Sequence, residues 1–229
     1  AIQSTSREAF FEANGAILRQ VEATNFPVRA KGLAKEILEN EPDLVGLQEV
    51  ALWRTAPPSL GPVFSGKPEA TTVKYDFLQL LLAQLNKRKT LYRPVVVEPE
   101  FDFEAPADAN GIPGDGPGGG QGVLANTEIN GRLTMRDVIL ARVGAGVKTS
   151  HPQEGHFANL LVEKVAGSTE VTITRGWTAI DARVRGSRPF RSSTPTWSRS
   201  TTPPNTRACE RGRPASSSPR AGRRPAGCR

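Results

Sequence analysis

The chain has 229 residues, enough for one large domain and a sizeable core. It contains no apolar run of the ~18 residues that a membrane-spanning helix needs, and both of its cysteines, Cys209 and Cys228, lie near the C-terminus, which excludes a disulfide framework for the body. The formal net charge of +7 is an average of two unlike parts: residues 191–229 hold nine Arg against one acid, Glu210, which leaves 21 basic and 22 acidic residues in the rest. A sequence pI near 9.8 points to a nucleic-acid partner only for the tail; the body is nearly neutral.

Ser6 to Val21 reads as an amphipathic helix, with Phe10, Phe11, Ile17, Leu18 and Val21 at helical spacing. Ser6 stands at its N-cap and Glu8 in its first turn. Pro27 opens a second helix, where a missing N–H costs nothing, with Val28, Leu33, Ala34, Ile37 and Leu38 as its buried stripe. Glu41-Pro42-Asp43 stops it, and Leu44 to Val50 is a short apolar strand. A Leu-rich third helix is expected from Lys74 to Leu85, then a strand from Tyr92 to Val97. Ala105 to Gly122, dense in Gly and Pro, is a surface loop; a phosphate cradle is the sharper alternative, but neither Lys-Ser/Thr nor a clear helix follows it.

Beyond the loop the pattern is β: Asp137 to Arg142, Phe157 to Val165, Glu170 to Thr174 and Trp177 to Val184 read as strands, with turns at Gly167-Ser168 and Arg185-Gly186-Ser187. His151 and His156, the only two histidines, fall in what reads as a turn between strands and are taken as solvated. From Arg191 the chain becomes rich in Ser, Thr, Pro, Arg, Gly and Ala. Trp197 is its only large apolar residue beyond that point, a composition that predicts disorder over 192–229. Helices alternating with strands, followed by a β-meander, predict an α/β sandwich with helices outside.

Glu49 is the leading candidate for chemistry. It closes the strand in "PDLVGLQEV", and a carboxylate at the C-terminal mouth of a strand suits a hard cation such as Mg2+. Arg136 and Asp137, just ahead of the strand Val138 to Arg142, are candidates for contact with a phosphate, since an Arg fork donates two parallel hydrogen bonds to one.

The run from Arg29 to Thr55, with "PDLVGLQEV" and "ALWRT", and then "KYDFLQLLLAQL", "RDVILAR", "GHFANL" and "TRGWTAIDARVRG" in this order, resembles the endonuclease/exonuclease/phosphatase (DNase I-like) superfamily over about Phe10 to Arg191. The resemblance implies a β-sandwich flanked by helices, a metal-dependent phosphoester hydrolase, Mg2+ or Mn2+ on Glu49, and a nucleic acid or small phosphoester as substrate. It also implies an Asn on a first strand, which would precede Ala1, and a His in an Asn-Thr-His-Leu strand, an Asp-x-Asn motif and a terminal Asp-His pair, none of which follows Arg191 in this sequence. The domain is therefore expected to be incomplete at both ends, with no intact catalytic set and little turnover, and a signal peptide ahead of Ala1 is left open, cytoplasmic and secreted locations alike.

Ser193 to Ser198 can be encoded so that a shift of one base reads Asn-Thr-His-Leu-Glu, the missing motif at its expected place. An out-of-frame tail and a genuine cationic arm that binds nucleic acid are the two readings of 192–229. Sequencing the coding DNA across Arg191 and translating all three frames separates them: Asn-Thr-His-Leu is expected in a neighbouring frame, and its absence favours the arm.

Overall fold

The computed structural model describes Ser4 and residues 6–116, 122–165, 169–184 and 187–195. The chain divides into a unit Ala1–Ser198 and a second, Arg199–Arg229; the second, and with it most of the segment predicted to be disordered, lies outside the described residues, as do most of the predicted turns at 167–168 and 185–187. Among the described residues four helices, α1 (Arg7–Ala23), α2 (Phe26–Asn40), α3 (Gly61–Ser65) and α4 (Phe77–Leu85), and ten strands make a mixed α/β fold. Among the described residues no helix is long and apolar enough to cross a membrane.

The strand β5 (Ile129–Arg142) organises the first sheet. One of its edges pairs along its whole length with β4 (Tyr92–Ala107). The other pairs with β1 (Leu44–Leu47) over Val138–Ala141 and with β2 (Leu52–Ala56) over Asn130–Thr134. β3 (Thr72–Asp76) adds to β2. Strand alternation then divides the core. Val138 and Leu140 face α2 and α4, where they meet Ala34, Leu78, Leu81 and Leu85. Ile139 faces the other way, onto Ile180 of a second sheet formed by β6 (Val147–His156), β9 (Gly176–Val184) and β10 (Phe190–Pro195). α1 lies along β4, with Phe10 and Phe11 against Ala105 and with Leu18 near Trp53 and Ala107. A hairpin of β7 (Leu161–Val165) and β8 (Thr169–Ile173) completes the described fold.

The first helix is as expected: the Ser6 hydroxyl accepts the Ala9 amide at 3.2 Å. α2 does carry Pro27 in its first turn, but Val28 and Leu33 point outward, at 56% and 39% exposure, and the buried positions are Phe26, Ala30 and Ala34. The third predicted helix starts three residues late. Lys74, Tyr75 and Asp76 belong to β3, and the Asp76 carboxylate caps α4 by accepting the Gln79 amide. β4 runs on to Ala107, so the loop opens at Asp108 and not at Ala105. The predicted strand from Phe157 to Val165 begins only at Leu161, and the segment holding both histidines is itself a strand, β6, paired with β9.

The change of composition at Arg191 does not end the fold either. Residues 192–195 pair with β9, and the buried hydroxyls of Thr178 and Thr194 bond to each other. Thr194 also presses its Cγ2 on Gly46, within 2.3 Å of where a Cβ would stand.

Gly15 marks where α1 meets the start of the loop. A Cβ there would lie 1.6 Å from the Asp108 carbonyl oxygen. Ala would add about 1 kcal/mol of helix propensity but overpack a backbone contact, at about 1–3 kcal/mol or more. Gly15→Ala is therefore expected to lower the melting temperature, whereas Gly32→Ala in α2, where nothing lies within 4 Å, should raise it; thermal denaturation of the two variants checks this.

Candidate functional site

Residue pairing along β5 places the site. On one edge β1 and β2 lie on a single line, but residues 48–51 span only the three positions 135–137. That one-residue excess is a β-bulge, a device that re-aims a side chain beside a functional centre. Glu49 absorbs it by adopting φ +53°, a left-handed conformation in which a non-glycine residue costs about 1–2 kcal/mol. On the other edge β4 has a bulge of its own between Pro99 and Phe101, so Glu100 is the extra residue there. Two carboxylate-bearing bulges thus flank β5 at Arg136–Asp137.

Asp137 is fully buried, and its Oδ1 accepts the Glu49 amide at 3.3 Å. Glu98 is its direct partner across the ladder and so shares its face. His156, at the end of β6, brings Nε2 to 3.4 Å from Glu98 Oε1. Arg175, between β8 and β9, sets Nη2 at 3.6 Å from Glu49 Oε1, while its Nη1 donates to the Thr174 carbonyl. The buried Nε of Arg175 has no hydrogen-bond partner among the described residues. Gly176 permits this approach: a Cβ there would stand 2.6 Å from the Gly155 carbonyl oxygen and 3.5 Å from Glu100 Oε1. The Thr174 hydroxyl donates to the Glu100 carbonyl, which ties the β8–β9 connection to the bulge in β4.

The Glu49 side chain is 47% exposed, and it is the accessible carboxylate of the group, since Glu98, Glu100 and Asp137 are buried. Arg136 and Asp137 do not present themselves to a phosphate as the sequence reading expected. Consecutive strand residues point to opposite faces, so Arg136 turns away from Asp137. Its guanidinium donates from Nε to Val50 O at 3.1 Å and from Nη2 to Asp76 Oδ1 at 2.7 Å, and its carbonyl accepts the Val50 amide. Both residues hold the Glu49 bulge in place, one from each face. The guanidinium that does face Glu49 belongs to Arg175, which the sequence reading passed over, although it lies inside the quoted "TRGWTAIDARVRG" segment with a Gly behind it. Of the histidines, His156 joins the site; His151 is 75% exposed and lies 3.3 Å from Asp181.

Burial pushes the Glu98 carboxyl above its ordinary value, with Glu154 and Asp137 adding to the shift and His156 opposing it. The folded state therefore holds that proton more tightly than the unfolded chain. The resulting stability is present at low pH and is lost as pH rises from about 4.5, the ordinary value, through the raised one. Glu98→Gln keeps the shape and removes the titration, so urea midpoints measured from about pH 4 to pH 7 should show the parent chain losing stability relative to the variant as pH increases.

No family model, no curated protein and no solved structure matches this chain.

Proposed function

We propose that this chain is part of a metal-dependent phosphoester hydrolase of the endonuclease/exonuclease/phosphatase type, with a DNase I-like sandwich, and that Glu49 is the residue that holds its divalent cation. The observation that carries the reading is the bulge: a half-exposed carboxylate kept in an unfavourable backbone conformation by Asp137 on one face and Arg136 on the other. Strain of this kind persists where surrounding structure enforces it, and it concentrates at functional positions.

Among the described residues no three His, Cys, Asp or Glu side chains are grouped as a metal cage. The donor set on offer is a single accessible carboxylate, which fits Mg2+, or Mn2+ in its place: Mg2+ commonly binds through one or two carboxylates and keeps several waters. Such a cation polarises a phosphoryl oxygen. Arg175 supplies a positive charge on the same side as Glu49, with Nη2 3.6 Å from Glu49 Oε1. Glu98 and His156 form a carboxyl–imidazole pair at the rear of the site, suited to holding a proton. The substrate class is a phosphoester, either nucleic acid or a small molecule. Turnover by this chain is expected to be close to background, because none of the superfamily's Asn-Thr-His-Leu, Asp-x-Asn and Asp-His elements follows Arg191 in its sequence.

The test is direct Mg2+ binding by calorimetry on the full chain, run beside hydrolysis of a generic phosphodiester. Glu49→Gln is expected to weaken Mg2+ at least tenfold; unchanged affinity would sink the reading. Glu49→Gly should also lose the ion yet melt no lower than the parent, because Gly adopts φ +53° without the side-chain penalty and gives back only about 0.5–1 kcal/mol in backbone entropy.

A further inference from the structure

A cavity of about 180 Å³ lies between α1, the first sheet and the β7–β8 hairpin, and it shares no residue with the site around Glu49. Phe10 and Leu18 of α1, Trp53 of β2, Phe103 of β4 and Ile173 of β8 give it an almost wholly apolar wall. An apolar cavity of about 150 Å³ is large enough to stay dry and take up a benzene ring, so this one accommodates a ring or a short branched alkyl group.

Two polar side chains reach the wall, Glu163 and Asn14. Glu163 is there by register. It pairs directly with Val171, and Leu161 pairs with Ile173, so Glu163 occupies the inward face of the hairpin between positions that carry Val and Ile on the opposing strand. The Glu163 carboxylate is thus placed to meet a cationic group in the cavity. Glu163 makes no hydrogen bond or ion pair with any described residue, although it is only partly exposed. Asn14 donates its Nδ2 to the Pro106 carbonyl at 3.2 Å, which fixes the amide and leaves Oδ1 as an acceptor. Asn14 keeps a second Nδ2 hydrogen as well as Oδ1, so the charged group of the cavity, Glu163, is what distinguishes cationic from anionic ligands.

We propose that this cavity binds a small apolar amine, with the ring or alkyl body against Phe10, Trp53 and Phe103 and the ammonium group donating to Glu163. The chemistry selects by charge. A neutral hydrocarbon of the same size fills the volume but leaves the carboxylate unpartnered, and a carboxylic acid brings a second negative charge to it.

Benzylamine, toluene and benzoate are the probes, with the full chain followed by calorimetry and by thermal shift. Benzylamine is expected to bind and to raise the melting temperature, toluene to bind more weakly, and benzoate not to bind. Glu163→Gln, an isosteric change at a partly exposed position, should weaken benzylamine about tenfold and leave toluene unchanged. Val171→Phe, which fills the cavity, should abolish both. The proposal is overturned if benzylamine does not bind, if it binds no better than toluene, or if Glu163→Gln leaves its affinity unchanged. None of these readouts depends on Mg2+ or on phosphoester hydrolysis, so the result stands apart from the fate of the Glu49 reading.

Discussion

Asp137 accepts the amide hydrogen of Glu49, and the carbonyl of its neighbour Arg136 accepts that of Val50. These two hydrogen bonds bridge the gap between β1 and β2, where the chain carries one residue more than β5 can pair. Without them residues 48–51 would have unpaired backbone groups inside the sheet, a cost comparable to a lost hydrogen bond for each. The alternating faces of β5 make the arrangement possible. Asp137 serves from the side of the second sheet and Arg136 from the helical side, where it also reaches Asp76 at the cap of α4. The candidate site is therefore a consequence of how one long strand is shared by two short ones.

The same strand sets the layers. Val138 and Leu140 are buried under α2 and α4 and Ile139 under Ile180, so a segment that reads as a continuous apolar run serves two cores at once. Bulges on both neighbours of β5 fall at the level of Arg136–Asp137, and bulges increase the local twist and bend the bulged strand. The bend brings Glu98 and Glu100 of β4 under β6 and the β8–β9 connection, where His156 and Arg175 wait. Burial raises the cost of ionising Glu98, and the nearby carboxyl groups of Glu154 and Asp137 add to it. His156 acts against that cost.

Local pattern carried a good deal of this. The Ser6 cap, the Pro27 helix start, the strand opening at Leu44 and the strand ending at Val184 follow from spacing and from the conformational limits of Ser, Pro and Gly, which are properties of a few adjacent residues. Boundaries failed where tertiary pairing overrode local preference. Lys74-Tyr75-Asp76 is strand because β2 stands beside it. His151 and His156 lie in a strand, not a turn, because β9 pairs with β6 on both sides of the irregularity that holds His151 and directly at His156. Residues 192–195, polar and unremarkable in composition, are ordered by that same neighbour.

The sequence by itself determined the mixed α/β alternation and the two main amphipathic helices, since each depends on periodicity or on a single residue's backbone limits; the strand expected over Leu44 to Val50 ends at Leu47, and Glu49 lies in the bulge between β1 and β2 and not at a strand mouth. Only the tertiary structure decided which groups surround that carboxylate. Arg136 and Asp137 are adjacent in sequence yet face opposite sides of a sheet, whereas Glu98, His156 and Arg175, separated by up to 126 positions from Glu49, meet on one side of it. A strand's two-residue period separates neighbours, and cross-strand pairing joins residues that are distant in the chain. Neither effect can be read before the register is known.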